Sequence, residues 1–439
     1  MTTTTTTTTT ALAQALCSRA KTAARALSTA STQQKNEALD RIAAALTSTS
    51  TASPILEANR QDVAAAVAAG LSAPLVDRLR LDAQRLSSLA HAVRSIEALP
   101  DPVGAVADLS QRPSGIFVGR MRVPLGVILM IYESRPNVTV DAAALCLKSG
   151  NAVILRGGRE ALQTNRALAS LVRSCLAAAG LPEDAVVFCD DPDRALLYAL
   201  LQQSQSIDLA IPRGGTALID AVNEHARVPV IQHYQGICHA YVHAAADLDV
   251  AERVIVNAKV SRPGVCNALE CVVVDAGAAA VAVPRLVSAL QASGVEVRGC
   301  ERTRSFLAFD GAPSVTPASD ADFDTEFLDL ILAMKVVDDV DAALGFIADH
   351  GSRHTATIIT THHDVAMRFL RSVDASCVMI NASTRFNDGG ELGLGAELGI
   401  STSKLHAYGP MGLEELCTRK FVVLGSGQIR EQRETRTRG

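Results

Sequence analysis

From residue 151 onward the chain repeats one pattern: a short apolar run of β-forming residues, then a helix-length stretch. "NAVILRGG" leads to a helix ending near Gly180, "AVVFCD" to a helix from Pro192, "IDLAIPRGG" to a helix from Thr216, and "VPVIQ" follows. A second series has a helix over 248–260, then "CVVVD", a helix through "AAVAVPRLVSALQASG" and "VEVRG". After an irregular stretch it resumes with "MKVVD", a helix to Gly351, "TATIIT", another helix and "CVMIN". Strands alternating with helices bury both faces of a sheet when the strands run parallel and the crossovers are right-handed. The pattern predicts two α/β domains, with Cys266 at the entry to the second. A chain of 439 residues, 48% of them apolar, is long enough to give each its own core.

Ahead of this pattern, residues 11–98 read as helices. Ser31 and Gln34 form a capping box before Leu39, Ile42 and Leu46, and Ser53 with Pro54 opens a further helix that Gly70 closes. Residues 113–131 change to strand character around Val118, Met121 and Val123. The opening "MTTTTTTTTT" (1–10) lacks a basic flank and a long apolar segment, so it reads as a disordered tail and not as a signal peptide. No run reaches the roughly 18 apolar residues of a membrane span. The net charge of −5, without a basic cluster, argues against a nucleic-acid partner. Ten cysteines with no CxxC pair and no regular spacing to histidine point to a reducing cytoplasm, with neither disulfides nor a metal site. Most of them, such as Cys146 and Cys175, read as small buried hydrophobes.

Several segments have the composition of a site. The turns "LRGGRE" (155–160) and "IPRGGT" (211–216) follow strands and open helices, where free N–H groups and the helix dipole favour a phosphate. Neither is GxGxxG, and each taken alone is first a plain strand-to-helix turn. Arg159 could pair with a 2′-phosphate, which suits NADP(H) better than NAD(H), or be an ordinary exposed arginine. In "YESRPNVTV", Pro136 keeps Arg135 out of the helical region, and Asn137 could cap a helix or donate to an oxyanion. Cys266, in "SRPGVCNALE", lies in a loop shaped by Pro263 and Gly264, and local sequence alone makes it a buried thiol before it makes it a nucleophile. Residues 381–416 form a long Gly-, Asn- and Ser-rich stretch of the kind that carries function.

Together, "IYESRPNVTVDAAALCLKSGNAVILRGG", "IPRGG", "VIVNAKVSRPGVCNALE" and "NASTRFNDGGELGLGAELGISTSKLHAYGPMGLEEL" closely resemble the gamma-glutamyl phosphate reductase family, the glutamate-5-semialdehyde dehydrogenases of the aldehyde dehydrogenase-like superfamily. The likeness runs from about residue 11 to 430 in order and spacing. It implies NADPH-dependent reduction of L-glutamyl 5-phosphate to glutamate 5-semialdehyde and phosphate through a cysteine thioester, a step of proline biosynthesis. It selects Cys266 as the nucleophile and Asn137 as an oxyanion donor beside the Cys266 N–H. It places Arg156, Gly157, Gly158 and Arg159 at the ribose and phosphate half of NADPH/NADP+, Arg213, Gly214 and Gly215 at the nicotinamide half, and Glu326 on the nicotinamide ribose. Arg135, Asn381, Ser383 and Arg385 are candidates for binding the substrate's amino-acid end or its phosphate. "QHYQGICHAYV" (232–242) lacks the glutamate with which hydrolytic members of the superfamily activate water, in keeping with a reductive enzyme.

The implied organisation is two Rossmann-like α/β domains, a cofactor domain over 11–112 and 126–239 and a catalytic domain over 240–413. A small strand extension with the C-terminal tail, 113–125 and 414–439, would add edge strands to a neighbouring subunit, so a homo-oligomer is expected, with glutamate 5-kinase as a transient partner. Ala356 stands where an acidic residue is expected, and Ile331 and Ala333 where Asp and Asn are common. These departures mean either a relaxed or altered site or surface drift, and drift is the favoured reading because the cysteine, the asparagine and both glycine turns are intact. A CoA-acylating or other semialdehyde dehydrogenase of the same fold, or a non-catalytic member that binds a partner enzyme, is the alternative.

Overall fold

The computed structural model of the protein describes residues 2–231, 235–309 and 311–430. The chain divides into two compact units. The first runs through Ile211 and adds Glu224–Val230 and the stretch from Gly412; the second takes Pro212–Asn223 and Ile231–Met411. The division therefore falls inside the Leu209–Arg213 strand and the Thr216–His225 helix, not at 239/240, and the strand extension groups with the first unit.

The first unit holds a four-stranded sheet in the order Val186–Phe188, Ala152–Arg156, Val127–Tyr132, Leu209–Arg213. The pairs of Ala152–Arg156 with both its neighbours are parallel. Of "VPVIQ", the described residues 228–231 contribute one bridge, Ala210 to Val230, in place of a full strand. Of the helices before the sheet, Thr32–Thr47 carries the predicted capping box and buries Leu39, Ile42 and Leu46. The next helix, Thr49–Ala68, starts ahead of the predicted Ser53–Pro54 entrance and keeps Pro54 inside it. Burial of Ala52 and Ile55 holds that first turn in place despite the missing proline N–H. Residues 2–10 are not a separate disordered tail: the helix Thr2–Leu27 takes them in, and Met1 lies outside the described residues. Threonine costs at most about 0.7 kcal/mol per helical residue, and the stretch behind it is anchored by buried Ala13, Leu16, Ala20 and Leu27.

An antiparallel sheet of Val106–Gln111, Phe117–Pro124 and Cys417–Leu424 completes the first unit. It begins earlier than the expected 113 because Arg112 and Ile116 close a hairpin around "RPSG", with Gly115 at φ +84°.

The second unit is built on a seven-stranded sheet in the order Thr316–Pro317, Glu296–Gly299, Ile331–Val337, Leu269–Asp275, Cys238–Val242, Thr355–Ile359, Cys377–Ile380, with every pair parallel. Alternate side chains serve opposite faces. Ala240, Val242, Val272 and Val274 pack with helices Leu248–Val260 and Ala276–Ala292. Tyr241, Cys271 and Val273 pack on the other face with helices Val340–His350 and His363–Ser372. Ala333 and Ala356 are buried in this second core and Ile331 is half-buried, so the departures from the family pattern are not drift at the surface. Among the described residues no helix is long and apolar enough to cross a membrane.

Candidate active site

Helix Leu248–Val260 ends at Ser261 and strand Leu269–Asp275 starts after Ala268, leaving Cys266 half-buried in the loop between them. Seven of the ten cysteines are buried; Cys300 and Cys377 are the other half-buried ones. Cys300 caps a short helix through the Thr303 N–H, and Cys377 lies in a strand. The backbone of Cys266 is enclosed. A Cβ on Gly236 would stand 2.0 Å from the Cys266 carbonyl oxygen, so only glycine permits that approach. The Cys238 thiol donates to the same oxygen at 3.2 Å.

Asn267 is buried and ties the loop to the 383–387 segment. Its amide donates to the Asn387 carbonyl at 3.0 Å, and its own carbonyl accepts from the Thr384 hydroxyl at 2.7 Å. Arg385 is half-buried, donates from Nε to the Ser261 hydroxyl at 3.2 Å, and enters no ion pair among the described residues. That leaves a guanidinium charge at the start of the nucleophile loop, suited to a carboxylate or phosphate. Ser383 is buried and accepts the Arg385 N–H at 3.4 Å. Asn381 differs from its expected role: at φ +52° its amide bridges the N–H and C=O of Thr360, both at 2.9 Å, which commits it to backbone.

The carboxyl of Glu326 is half-buried. Burial pushes it up, opposed by a hydrogen bond from the Gly236 N–H and by the charge of Lys259. Arg213 is half-buried ahead of exposed Gly214 and Gly215. Its charge acts on Glu397, whose carboxyl burial raises and whose oxygen accepts the Gly389 N–H at 2.9 Å. His354 lies buried behind the loop, Nδ1 2.7 Å from the Thr355 hydroxyl and 3.6 Å from the Cys238 sulfur, a structural setting. Within "QHYQGICHAYV", Gln232, His233 and Tyr234 lie outside the described residues. Gly236 and Cys238, from the rest of that segment, escaped sequence analysis; the sole signal was a glycine two residues ahead of a buried strand.

The other expected residues belong to the first unit. Gly157 and Gly158 are buried, and a Cβ on Gly157 would lie 2.2 Å from Asn165 Nδ2. Arg156 donates from Nη2 to the Pro192 carbonyl at 2.7 Å and from Nη1 to the Gly157 carbonyl at 3.3 Å. Arg156 Nε and Asn165 Nδ2 are buried donors without a partner among the described residues, and Arg159 beside them is exposed. Arg156, Asn165 and Arg159 offer donors suited to the phosphate-bearing part of a nucleotide, while the Glu160 carboxylate, which lies against Gly158, accepts the Ser134 N–H and hydroxyl at 2.7 and 2.8 Å. Asn137 begins the helix Asn137–Lys148, and its amide donates to Asp141 at 2.9 Å. Arg135 is half-buried and its carbonyl accepts the Val138 N–H at 3.0 Å.

Two parallel α/β sheets and an enclosed loop cysteine are the features of an aldehyde dehydrogenase-like protein, and the model of the aldehyde dehydrogenase family matches residues 1–301. An acetylating aldehyde dehydrogenase from Geobacillus thermoglucosidasius shares the fold, with 17% identity and a TM-score of 0.69 over 97% of this chain and 99% of that one. Much nearer is the gamma-glutamyl phosphate reductase of Nitratidesulfovibrio vulgaris, 54% identical over 413 residues, 94% of this chain and 97% of the relative. The enzyme of that name from Sorangium cellulosum is 55% identical over 420 residues, 95% of this chain and 97% of the relative. The crystal structure of gamma-glutamyl phosphate reductase from Thermotoga maritima matches with 44% identity and a TM-score of 0.92, covering 95% of this chain and all 100% of that one. The chain belongs to the gamma-glutamyl phosphate reductase family, within the aldehyde dehydrogenases.

Proposed function

We propose that this protein is an oxidoreductase that reduces L-glutamyl 5-phosphate to L-glutamate 5-semialdehyde with release of phosphate, the second step of proline biosynthesis from glutamate. The observation that carries the proposal is Cys266: its side chain is half-exposed while its carbonyl is gripped by Gly236 and Cys238, so the sulfur is held ready without being buried. The Cys266 thiolate attacks the acyl carbon, the C–O bond to phosphate breaks, and a thioester remains on the enzyme. Asn137 and the Cys266 N–H are the proposed donors to the oxyanion formed on the way, by resemblance to the family. Arg385, with Arg135, is proposed to hold the charged groups of the substrate.

The cofactor is proposed to be NADPH, with Arg156, Gly157, Gly158 and Arg159 at its ribose and phosphate half, Arg213, Gly214 and Gly215 at its nicotinamide half and Glu326 on the nicotinamide ribose. When bound, it supplies the hydride that reduces the thioester carbonyl. Expulsion of the Cys266 thiolate from the resulting hemithioacetal frees the aldehyde and restores the nucleophile. We further propose a cytoplasmic homo-oligomer in transient contact with glutamate 5-kinase, since the acyl phosphate is labile.

The test follows NADP+ reduction by the purified protein with pyrroline-5-carboxylate, the cyclised product, and phosphate. NAD+, phosphate-free and Cys266→Ala arms run beside it. Phosphate-dependent turnover with NADP+, absent in Cys266→Ala, is the expected result. Turnover without phosphate would instead mean a hydrolytic aldehyde dehydrogenase, and no turnover by folded protein would sink the proposal.

A further inference from the structure

The second unit contains a buried ion pair to which the chemistry above gives no part. Lys259 lies at the end of helix Leu248–Val260 and Glu270 is the second residue of strand Leu269–Asp275, so they flank the nucleophile loop on its two sides. They meet at 2.7 Å with side chains 0% and 1% exposed. Stability alone is a poor reason for such a pair, because desolvation costs several kcal/mol per ion and apolar residues of similar volume often serve as well.

What the pair touches is more informative. The other Glu270 oxygen accepts the Leu328 N–H at 3.4 Å. Leu328 stands at φ +55°, a left-handed conformation that costs a non-glycine residue about 1–2 kcal/mol and needs an outside hold. Its carbonyl lies 3.7 Å from the place of a Cβ on Gly264, inside the nucleophile loop. Two residues earlier, Glu326 accepts the Gly236 N–H, and Gly236 presses on the Cys266 carbonyl. The contacts close a ring from Lys259 through Glu270, Leu328, Glu326 and Gly236 to Cys266, and back along the loop. Lys259 faces Glu270, Glu326, Asp329 and Cys238.

We infer that Lys259 and Glu270 are positioning residues whose ion pair sets the separation between the Cys266 loop and the segment carrying Glu326. The inference rests on the proposed function only for the role of Glu326; the mechanical linkage does not. In the working enzyme the pair fixes where the nicotinamide-side ribose is held relative to the sulfur.

The test compares the full chain with a Lys259→Met/Glu270→Met double variant and with Glu270→Gln. The double variant removes both charges together, so the fold is expected to survive. Glu270→Gln keeps the shape but offers one acceptor oxygen to two donors, and it carries the same readouts if the double variant does not fold. Hydrogen exchange, which needs no cofactor, is expected to quicken about tenfold in 262–266 and in 326–328 together. The Kd for NADPH is expected to rise about tenfold, with the loss of kcat/KM, about 10²-fold, larger in KM for NADPH than in kcat. General destabilisation would instead lower the thermal midpoint without that split. A folded variant with unchanged exchange in 326–328 and unchanged kcat/KM overturns the inference. If the unmutated protein shows no NADPH turnover while exchange quickens in both segments, the proposed function falls and the linkage stands.

Discussion

Cys266 is set apart from the other cysteines by what its backbone touches, and its sequence neighbours could not reveal that. Gly236, thirty residues upstream, presses against its carbonyl. A Gly236→Ala substitution forces a Cβ to 2.0 Å from that oxygen. The loop must move, at about 1–3 kcal/mol of stability and about a 10²-fold loss of kcat, with folding checked by circular dichroism. Unchanged turnover would show that the loop tolerates displacement. The sequence led to Cys266 and Arg385 through long family matches, while Gly236, Cys238 and the Lys259–Glu270 pair act across the fold, where no local pattern marks them. A second residue-scale case is His239, buried at 1% exposure, with Nδ1 3.1 Å from the Ile237 carbonyl and Nε2 without a partner among the described residues. It registers opposite Ala356 on the adjacent strand and edge-on to Phe346, so the acidic residue expected at 356 would have stood beside it. Burial lowers its pKa from 6.5 to about 4, with the Ile237 carbonyl and Asp324 opposing and His350 assisting. The unfolded chain therefore takes up the proton first, and stability falls as pH drops from about 6.5 to about 4, by up to about 3 kcal/mol. Denaturation midpoints across that range should slope less in His239→Phe than in the unmodified protein; equal slopes would remove His239 as the cause.

At the scale of elements, the alternation of apolar strands with helices was legible because parallel strands buried on both faces must be nearly continuous in Val, Ile, Leu and Ala, as Ala152–Arg156 is up to its last residue. The Ser31 capping box was equally legible, since both of its bonds are local: Gln34 N–H to the Ser31 hydroxyl at 3.2 Å and Ser31 N–H to Gln34 Oε1 at 3.1 Å. Ser31→Ala is expected to lower stability by about 1 kcal/mol, read as a shift in denaturant midpoint at constant slope. No shift would mean that packing of Leu39, Ile42 and Leu46 fixes the helix start unaided. Where elements were misread, tertiary contacts overrode local signals. Burial of Ala52 draws the helix back past Pro54, and the Val106–Gln111 strand has an exposed residue at every position, so it carried no apolar alternation to find.

That exposed strand belongs to the feature that matters for the whole molecule. In the order Val106–Gln111, Phe117–Pro124, Cys417–Leu424, the last strand has no further partner along its outer edge among the described residues. Its side chains include Phe421, Val423 and Leu424, exposed at 66%, 57% and 57%. Phe421 and Val423 point to one face and Leu424 to the other, since alternate residues change sides. Arg120 covers part of the Phe421 ring from the paired strand, its guanidinium 4.8 Å from the ring centre. A ribbon with apolar groups on both faces and an open edge is poorly suited to water, and a second copy of the chain can cover both faces and extend the edge. The homo-oligomer proposed from the family therefore has a physical motive in this sheet. Light scattering on the eluting protein is expected to give the mass of a dimer or a larger even assembly. Phe421→Glu with Val423→Glu should reduce that mass while leaving circular dichroism unchanged, because neither side chain is part of a core. A monomeric unmodified protein at micromolar concentration would refute the assembly. An intact oligomer in the double variant would instead move the contact to another surface, and would leave the apolar ribbon to some other partner.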